Sequence, residues 1–315
     1  MKNGTLNADA ARPVLVFGGK GRVGRLVVAE LLGHGRSVRV FSRSGDPVPD
    51  PEGGAPDRAE VVTGDLGRPE TLTPALDGAG AVVSCAFMEH VPTIAAACRT
   101  SGVERAVFLT STRRFTRFPD AVARRVEVAE EAVRSAALRH TILRPAMIYG
   151  GGPDGNLWAL AERIRRRRLV PMPGGGRARL QPVNARDVAR AVTLALASPE
   201  AEGRELTVAG AERVTLREIA DLLAERLGVR ARVVSVPLPL ARVGAAGLGA
   251  VGRAMGPRGR GLGEWPGRIR RLAEDRTFDI EEAERVLGWR PRGIREGLDD
   301  LIQPAAPGNV RDPLI

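Results

Sequence analysis

Between Pro13 and Leu143, short apolar runs alternate with longer amphipathic stretches, and nothing else in the chain constrains its fold as strongly. Residues 14–17, 37–41, 60–63, 81–86, 106–110 and 141–143 read as strands. Residues 23–32, 71–76, 91–100 and 121–137 carry helical periodicity. Strand and helix in strict turn predict an α/β architecture, a doubly wound parallel sheet covered by helices on both faces. After Gly150 the pattern changes. Two glycine- and proline-rich stretches, 150–153 and 171–176, bracket a helix over 157–169, followed by a helix over 186–197 and a strand over 205–208. Thr215 then caps a helix over 216–227. The expected organisation is a disordered tail over 1–12 and a main domain over 13–150, to which 183–209 return. A smaller substrate or lid region, 151–182 and 210–315, completes the chain.

The first strand runs straight into Gly18-Gly19-Lys20-Gly21-Arg22-Val23-Gly24 and then into a helix. Glycines at 18, 21 and 24 let the backbone turn tightly and approach a diphosphate, while the helix N-terminus offers free N–H groups to it. In this setting the spacing predicts a Rossmann-type dinucleotide site. The end of the second strand discriminates between cofactors. An NAD site places Asp or Glu there to hold the ribose hydroxyls, whereas this chain has Ser42 followed by Arg43. An arginine pairs with a 2′-phosphate that a carboxylate would repel, and Lys20 adds a second cation. The expected cofactor is NADP(H).

With these motifs placed, the chain resembles the extended and atypical branch of the short-chain dehydrogenase/reductase superfamily, including its NmrA-like and complex I accessory-subunit-like members. Gly64-Asp65-Leu66 resembles the adenine-contacting element, and residues 143–150 the segment that holds the nicotinamide. Residues 181–189 resemble the stretch joining lid to core, and Phe278-Asp279 with 287–291 the C-terminal motif of extended members. The resemblance implies cofactor contacts from Asp65, Leu66, Cys85, Ala86, Phe87, Thr110, Pro145, Ala146 and Ile148, besides the glycine loop.

Catalytic members of that superfamily carry Tyr-x-x-x-Lys on one helix, where the lysine lowers the phenol pKa and the phenol protonates the substrate oxygen. This chain cannot hold the pair: its tyrosine is Tyr149 alone and its lysines are Lys2 and Lys20. Matching the helix around Glu131 puts Ala123 at the tyrosine position and Glu127 at the lysine position. Thr112, with Ser111 as the neighbouring option, matches the family's Ser/Thr position, although a strand-end hydroxyl without chemistry is the alternative. His90 follows the fourth strand at the ligand-binding edge of the sheet and is either a proton donor or a surface histidine. Phe115, Met147, Tyr149 and Trp158 are candidates for the substrate pocket, with core packing as the other reading of each. No metal site is expected.

The net charge of +11 comes almost wholly from arginine, spread along the chain. Its densest cluster, Arg165 to Arg168, reads as a solvated helix face, and aromatic residues at 3% offer no stacking platform for single strands. No nucleic-acid partner is expected. No membrane span is expected either, because the apolar stretch 233–255 is broken by Pro237, Pro239, Arg242 and Arg253. Two cysteines, Cys85 and Cys98, and a polar beginning fit a reducing cytoplasm. The leading expectation is an NADPH-dependent reductase for a carbonyl or activated double bond in a small, fairly apolar, aromatic or quinone-like molecule. The alternatives are a non-catalytic NADP(H)-binding regulatory or assembly protein and a nicotinamide-recycling isomerase or epimerase.

Overall fold

A computed structural model describes residues 12–51, 58–153, 155–255 and 260–302. The tail expected over 1–12 lies outside them apart from Arg12, which donates to Glu104 and to the Ala79 carbonyl.

Six strands in chain order, β1 (Val14–Phe17), β2 (Val38–Ser42), β3 (Glu60–Thr63), β4 (Ala81–Ser84), β5 (Arg105–Leu109) and β6 (His140–Pro145), are joined by the strand Glu205–Val208 in one sheet. The order is Glu205–Val208, β6, β5, β4, β1, β2, β3, and every pairing is parallel. Strand order reverses between β1 and β4, which opens a crevice at their carboxyl ends.

The apolar run of β1 is explained by burial on both faces. Val14 and Val16 pack into one core with α1 (Arg22–Gly33) and, later in the chain, with residues such as Val188 and Val192. Leu15 and Phe17 point the other way, against α2 (Leu72–Leu76), α3 (Val91–Thr100) and α4 (Ala121–Ser135). A third apolar cluster gathers Leu157 and Ile164 of α5 (Asn156–Arg167) with Ile219, Leu223 and Leu298. Arg165 and Arg166 of α5 are exposed and pair with Glu162, as on a solvated face.

Residues 183–209 bring the chain back to the main sheet. Val183–Asn184 pairs with Ile148–Tyr149, α6 (Ala185–Ala197) shares the first core with α1, and Glu205–Val208 forms the sheet edge. The polar residues of this stretch are connectors. Asn184 caps α6 and donates to the Gly297 carbonyl at 3.2 Å. Buried Asp187 accepts from the Arg292 backbone and side chain, and Trp289 donates to the Asp187 carbonyl at 2.9 Å. That is why the motif over 287–291 accompanies the motif over 181–189.

The segment 233–255 divides into part of a strand, Arg232–Val236, and a helix, Leu238–Ala254. Among the described residues no helix is long and apolar enough to cross a membrane.

Candidate functional site

Gly18 leaves β1 with φ +74°, and a Cβ there would stand 2.8 Å from the Cys85 carbonyl oxygen. Gly21 donates back to the Gly18 carbonyl at 3.0 Å, closing the turn. A Cβ on Gly24 would come within 2.0 Å of that same oxygen, so only hydrogen lets α1 sit this close to the strand. Gly21 is the N-cap of α1, with no side-chain cap and no acidic residue in the first turn. The positive end of the helix therefore meets the glycine turn with no carboxylate in its first turn, a setting that suits an anion.

The side chains of the loop mainly brace it. Lys20 donates to the carbonyl and hydroxyl of Ser44 at 2.8 and 3.0 Å, clamping the glycine loop to the end of β2. Arg22 reaches the carbonyls of Ile148 and Gly150, and Arg25 reaches that of Gly151. The Arg22 side chain is thus directed to the segment after β6. Ser42 ends β2, and Arg43 beyond it is exposed, with no ion pair among the described residues.

On the opposite wall, Cys85 donates its N–H to the Phe17 carbonyl at 2.9 Å and carries the chain past the glycines through Ala86 and Phe87, the last 77% exposed. Burial pushes the Cys85 thiol up to about 12, so it stays protonated and is no nucleophile. Asp65 closes its own turn by accepting from Gly67 N at 2.9 Å, and Leu66 packs under it. Pro145 ends β6, and Ala146 and Ile148 follow it, with Ala146 N held by the Val208 carbonyl.

Among the hydroxyls at the end of β5, Thr110 donates to Glu130 at 2.8 Å and Thr112 to the Pro145 carbonyl at 3.3 Å. Ser111 accepts from Arg113 N at 3.1 Å, which leaves its own proton to donate. His90 is half-buried at the N-cap of α3. Helix α4 turns Ala123, Val126, Ala129, Glu130 and Val133 inward, whereas Glu127 is exposed. Glu127 is thus not a buried counterpart of the family's lysine.

Of the pocket candidates, Phe115 is 48% exposed and faces Phe278 across 6.2 Å, with the Arg144 guanidinium 5.4 Å from its ring. Met147 and Trp158 pack at the border of the third cluster. Of the two readings of Tyr149, the packing one fits its surroundings: it is 2% exposed, and a Cβ on Gly297 would stand 2.0 Å from its hydroxyl. Burial, reinforced by Asp187, raises its phenol, and the ring packs in the third cluster.

Glu130 is the group that sequence reasoning missed. Fully buried, it takes a two-pronged contact from Arg144 at 2.8 and 2.7 Å, besides Thr110, Arg114 and Arg134. Arg134 and Arg144 go on to Glu205. Its signal was the spacing Ala123, Val126, Glu130, Val133, which puts a carboxylate on the apolar stripe of a helix. Burial alone would raise the Glu130 carboxyl, but Arg144, Thr110 and Arg114 together hold it below the usual range. The Arg134 guanidinium, against partial burial and with help from Arg144, holds Glu205 down at about 2.

Both carboxyls are lower in the folded chain than the ~4.3 of an unfolded glutamate. The network therefore contributes fully above that value and is lost as pH falls through the folded values. Melting temperatures followed downward from neutrality are expected to drop steeply below about pH 4.5. Glu205→Gln should be less stable at neutral pH and show a shallower acid limb. An unchanged acid limb in that variant would contradict the assignment.

A family model described as NAD(P)H-binding matches residues 18–199. The chain belongs to that family. A phosphate ester reductase of Streptomyces griseus, (4-alkanoyl-5-oxo-2,5-dihydrofuran-3-yl)methyl phosphate reductase, is 32% identical, over 73% of this chain and 79% of that enzyme. The NADH dehydrogenase [ubiquinone] 1 alpha subcomplex subunit 9 of Arabidopsis thaliana mitochondria is 26% identical, over 73% of this chain and 62% of that subunit. Further relatives, 25, 26 and 27% identical, are named as reductases. The chain spans less than two thirds of the length of the first curated relatives it matches. Among solved structures, the Thermus thermophilus UDP-glucose 4-epimerase complex with NAD superposes with TM-score 0.67 at 22% identity, over 92% of this chain and 98% of that one. This NAD(P)H-binding chain accordingly has the fold of the extended short-chain dehydrogenases/reductases, and its helix α4 lacks the tyrosine and lysine that the superfamily uses.

Proposed function

We propose that the chain is an NADPH-dependent reductase for a carbonyl or activated double bond in a small, partly aromatic or quinone-like molecule. The observation that carries this reading is the crevice between β1 and β4. It has a helix N-terminus with no side-chain cap and no acidic residue in its first turn at one end, and an exposed Arg43, with no carboxylate, at the end of β2. The diphosphate would lie on the N–H groups of α1 and the 2′-phosphate against Arg43. Ser42, Asp65, Leu66, Cys85, Ala86, Phe87, Thr110, Pro145, Ala146 and Ile148 would line the rest.

NADPH, when bound, supplies the hydride, so the chain has to orient the acceptor and provide for one proton. Ser111 is better suited than Thr112 to hold a substrate oxygen, because Thr112 has already committed its proton to the Pro145 carbonyl. His90 or water would deliver the proton. Relatives named as reductases support this reading. The likeness to the mitochondrial NADH dehydrogenase subunit favours a second one, in which NADPH is held without turnover.

Fluorescence titration is expected to give NADPH at least tenfold tighter than NADH, and Arg43→Asp should remove that preference, since a bidentate charged contact accounts for about a factor of ten or more. Equal affinity for the two nucleotides in the unmodified protein would overturn the use of Arg43. Absorbance at 340 nm with quinones and aromatic ketones then separates the two readings. Tight NADPH binding with every acceptor left unreduced would sink the reductase.

A further inference from the structure

Three arginines and two carboxylates meet where the C-terminal segment crosses the end of β5. Arg113 lies two residues beyond Ser111, Asp120 caps α4, and Arg271 closes the helix Trp265–Leu272. Glu274 and Arg276 follow, and a β-bridge from Arg276 to Leu180 fixes the segment. Asp120 takes Arg113 and, at 2.9 Å, Arg271, along with two backbone N–H groups of α4. Glu274, 6% exposed, accepts from the Thr116 hydroxyl at 2.8 Å and from Arg117 N at 2.5 Å. Both carboxylates are therefore occupied, and among the described residues the Arg276 guanidinium has no hydrogen-bond partner. Its Nε is buried and unsatisfied, as is that of Arg113.

Burial pushes Arg276 below the usual arginine range; Glu274 opposes this, and Arg113 and Arg271 push further in the same direction. A half-buried cation whose buried Nε has no acceptor is costly unless something completes it. Arg276 and Phe278 are two residues apart, and Phe278 N donates to the Gln181 side chain beside the bridge that holds Arg276 to Leu180. Phe278 faces Phe115, which ends the helical turn that Ser111 caps and has the Arg144 guanidinium 5.4 Å from its ring.

We propose that Arg276, flanked by Arg113 and Arg271, is an oxyanion anchor for the substrate, which therefore joins an aromatic or apolar body to a carboxylate or a phosphate. The inference rests on the reductase reading of the same crevice and narrows its substrate class. The anion would complete the guanidinium cluster, and the body would lie between Phe115 and Phe278. The reducible group is then left toward Ser111.

The test uses the full chain loaded with NADPH, with benzyl phosphate, phenylacetate and benzyl alcohol titrated by calorimetry. Both anions are expected to bind at least tenfold more tightly than the alcohol, and whichever anion binds better identifies a phosphate or a carboxylate substrate. Arg276→Met should weaken the anions about tenfold or more while leaving NADPH affinity unchanged, because a charged hydrogen-bonded contact is lost. It should not lower the melting temperature of the free protein, since a half-buried cation with no hydrogen-bond partner among the described residues has been removed. Arg276→Gln serves the same purpose if the methionine variant does not fold. Arg165→Gln on the solvated face of α5 should bind the anions as before. Anions no tighter than the alcohol, or anion binding unchanged in the Arg276 variants, would overturn the anchor. Anion binding that depends on Arg276 without reduction of any acceptor would leave the anchor standing and remove the reductase. Reduction of neutral ketones with no anion binding would do the reverse.

Discussion

Replacing Glu130 with alanine is expected to lower the melting temperature by about 10 °C, the largest loss expected from any single side chain in the protein. Truncating one partner of a buried ion pair costs about 3–5 kcal/mol, because the charge left behind is desolvated and unpaired. In a chain of this size each kcal/mol shifts the midpoint by roughly 2–4 °C. Arg144 is the partner most exposed to this penalty: its side chain is 8% accessible, its two-pronged contact is with Glu130, and it would keep only its contact with Glu205. Arg114 and Arg134 reach solvent more easily, at 27 and 34%. Glu130→Gln keeps an acceptor for Thr110 and should fall between wild type and alanine. The pair Glu130→Met with Arg144→Met removes both buried charges and should recover much of the loss, as exchanges of buried pairs for apolar groups often do. Differential scanning calorimetry on the four proteins decides the matter. A double variant as unstable as Glu130→Ala would show that the methionines do not pack, and a stable Glu130→Ala would show that the network is dispensable.

Features were legible in the sequence where one physical cause dominated a stretch of residues. β1 was readable because both of its faces are buried, so four consecutive residues had to be apolar. The glycine loop was readable because each glycine answers a separate close approach, to Cys85, Gly18 or Val40. Features that depend on partners distant in sequence were not. The strands Leu169–Pro173 and Arg232–Val236 pair across more than fifty residues, and the first contains two prolines with the buried Met172 between them. That run does not look like a strand alone. Lys20 was assigned to the cofactor by charge and Arg22 by its place in the glycine loop, yet their side chains tie loops to loops, because backbone carbonyls within reach accept from a cation as well. Tyr149 sits in the right motif, but only the packing of Gly297 against its hydroxyl shows where the ring goes. The substrate end of the site was the least readable. The convergence of Arg113, Arg271 and Arg276 spans residues more than one hundred and fifty positions apart, hidden in a chain where arginine is everywhere.

Gly24→Val is expected to abolish NADPH binding and destabilise the chain, and the comparison with Gly33→Ala on the same helix isolates the cause. Both glycines lie in α1, where glycine is about 1 kcal/mol worse than alanine for the helix itself, so propensity alone would favour either substitution. What differs is space. A Cβ at Gly33 meets nothing within 4 Å, whereas at Gly24 it meets the Gly18 carbonyl oxygen at 2.0 Å and the Gly19 Cα at 2.8 Å. Those are backbone atoms of the cofactor turn, so no rotamer change relieves the clash, and α1 has to move off β1. Such overpacking typically costs about 1–3 kcal/mol and sometimes more. The movement also withdraws the N–H groups of the first turn from the diphosphate, so affinity is lost even where the chain still folds. Gly33→Ala should melt slightly higher than wild type and bind NADPH unchanged. Gly24→Val should melt lower and bind at least a hundredfold more weakly, read by fluorescence titration below its melting temperature. Near-normal binding by Gly24→Val would mean that the dinucleotide does not rest on this turn, and the crevice between β1 and β4 would have to be reassigned.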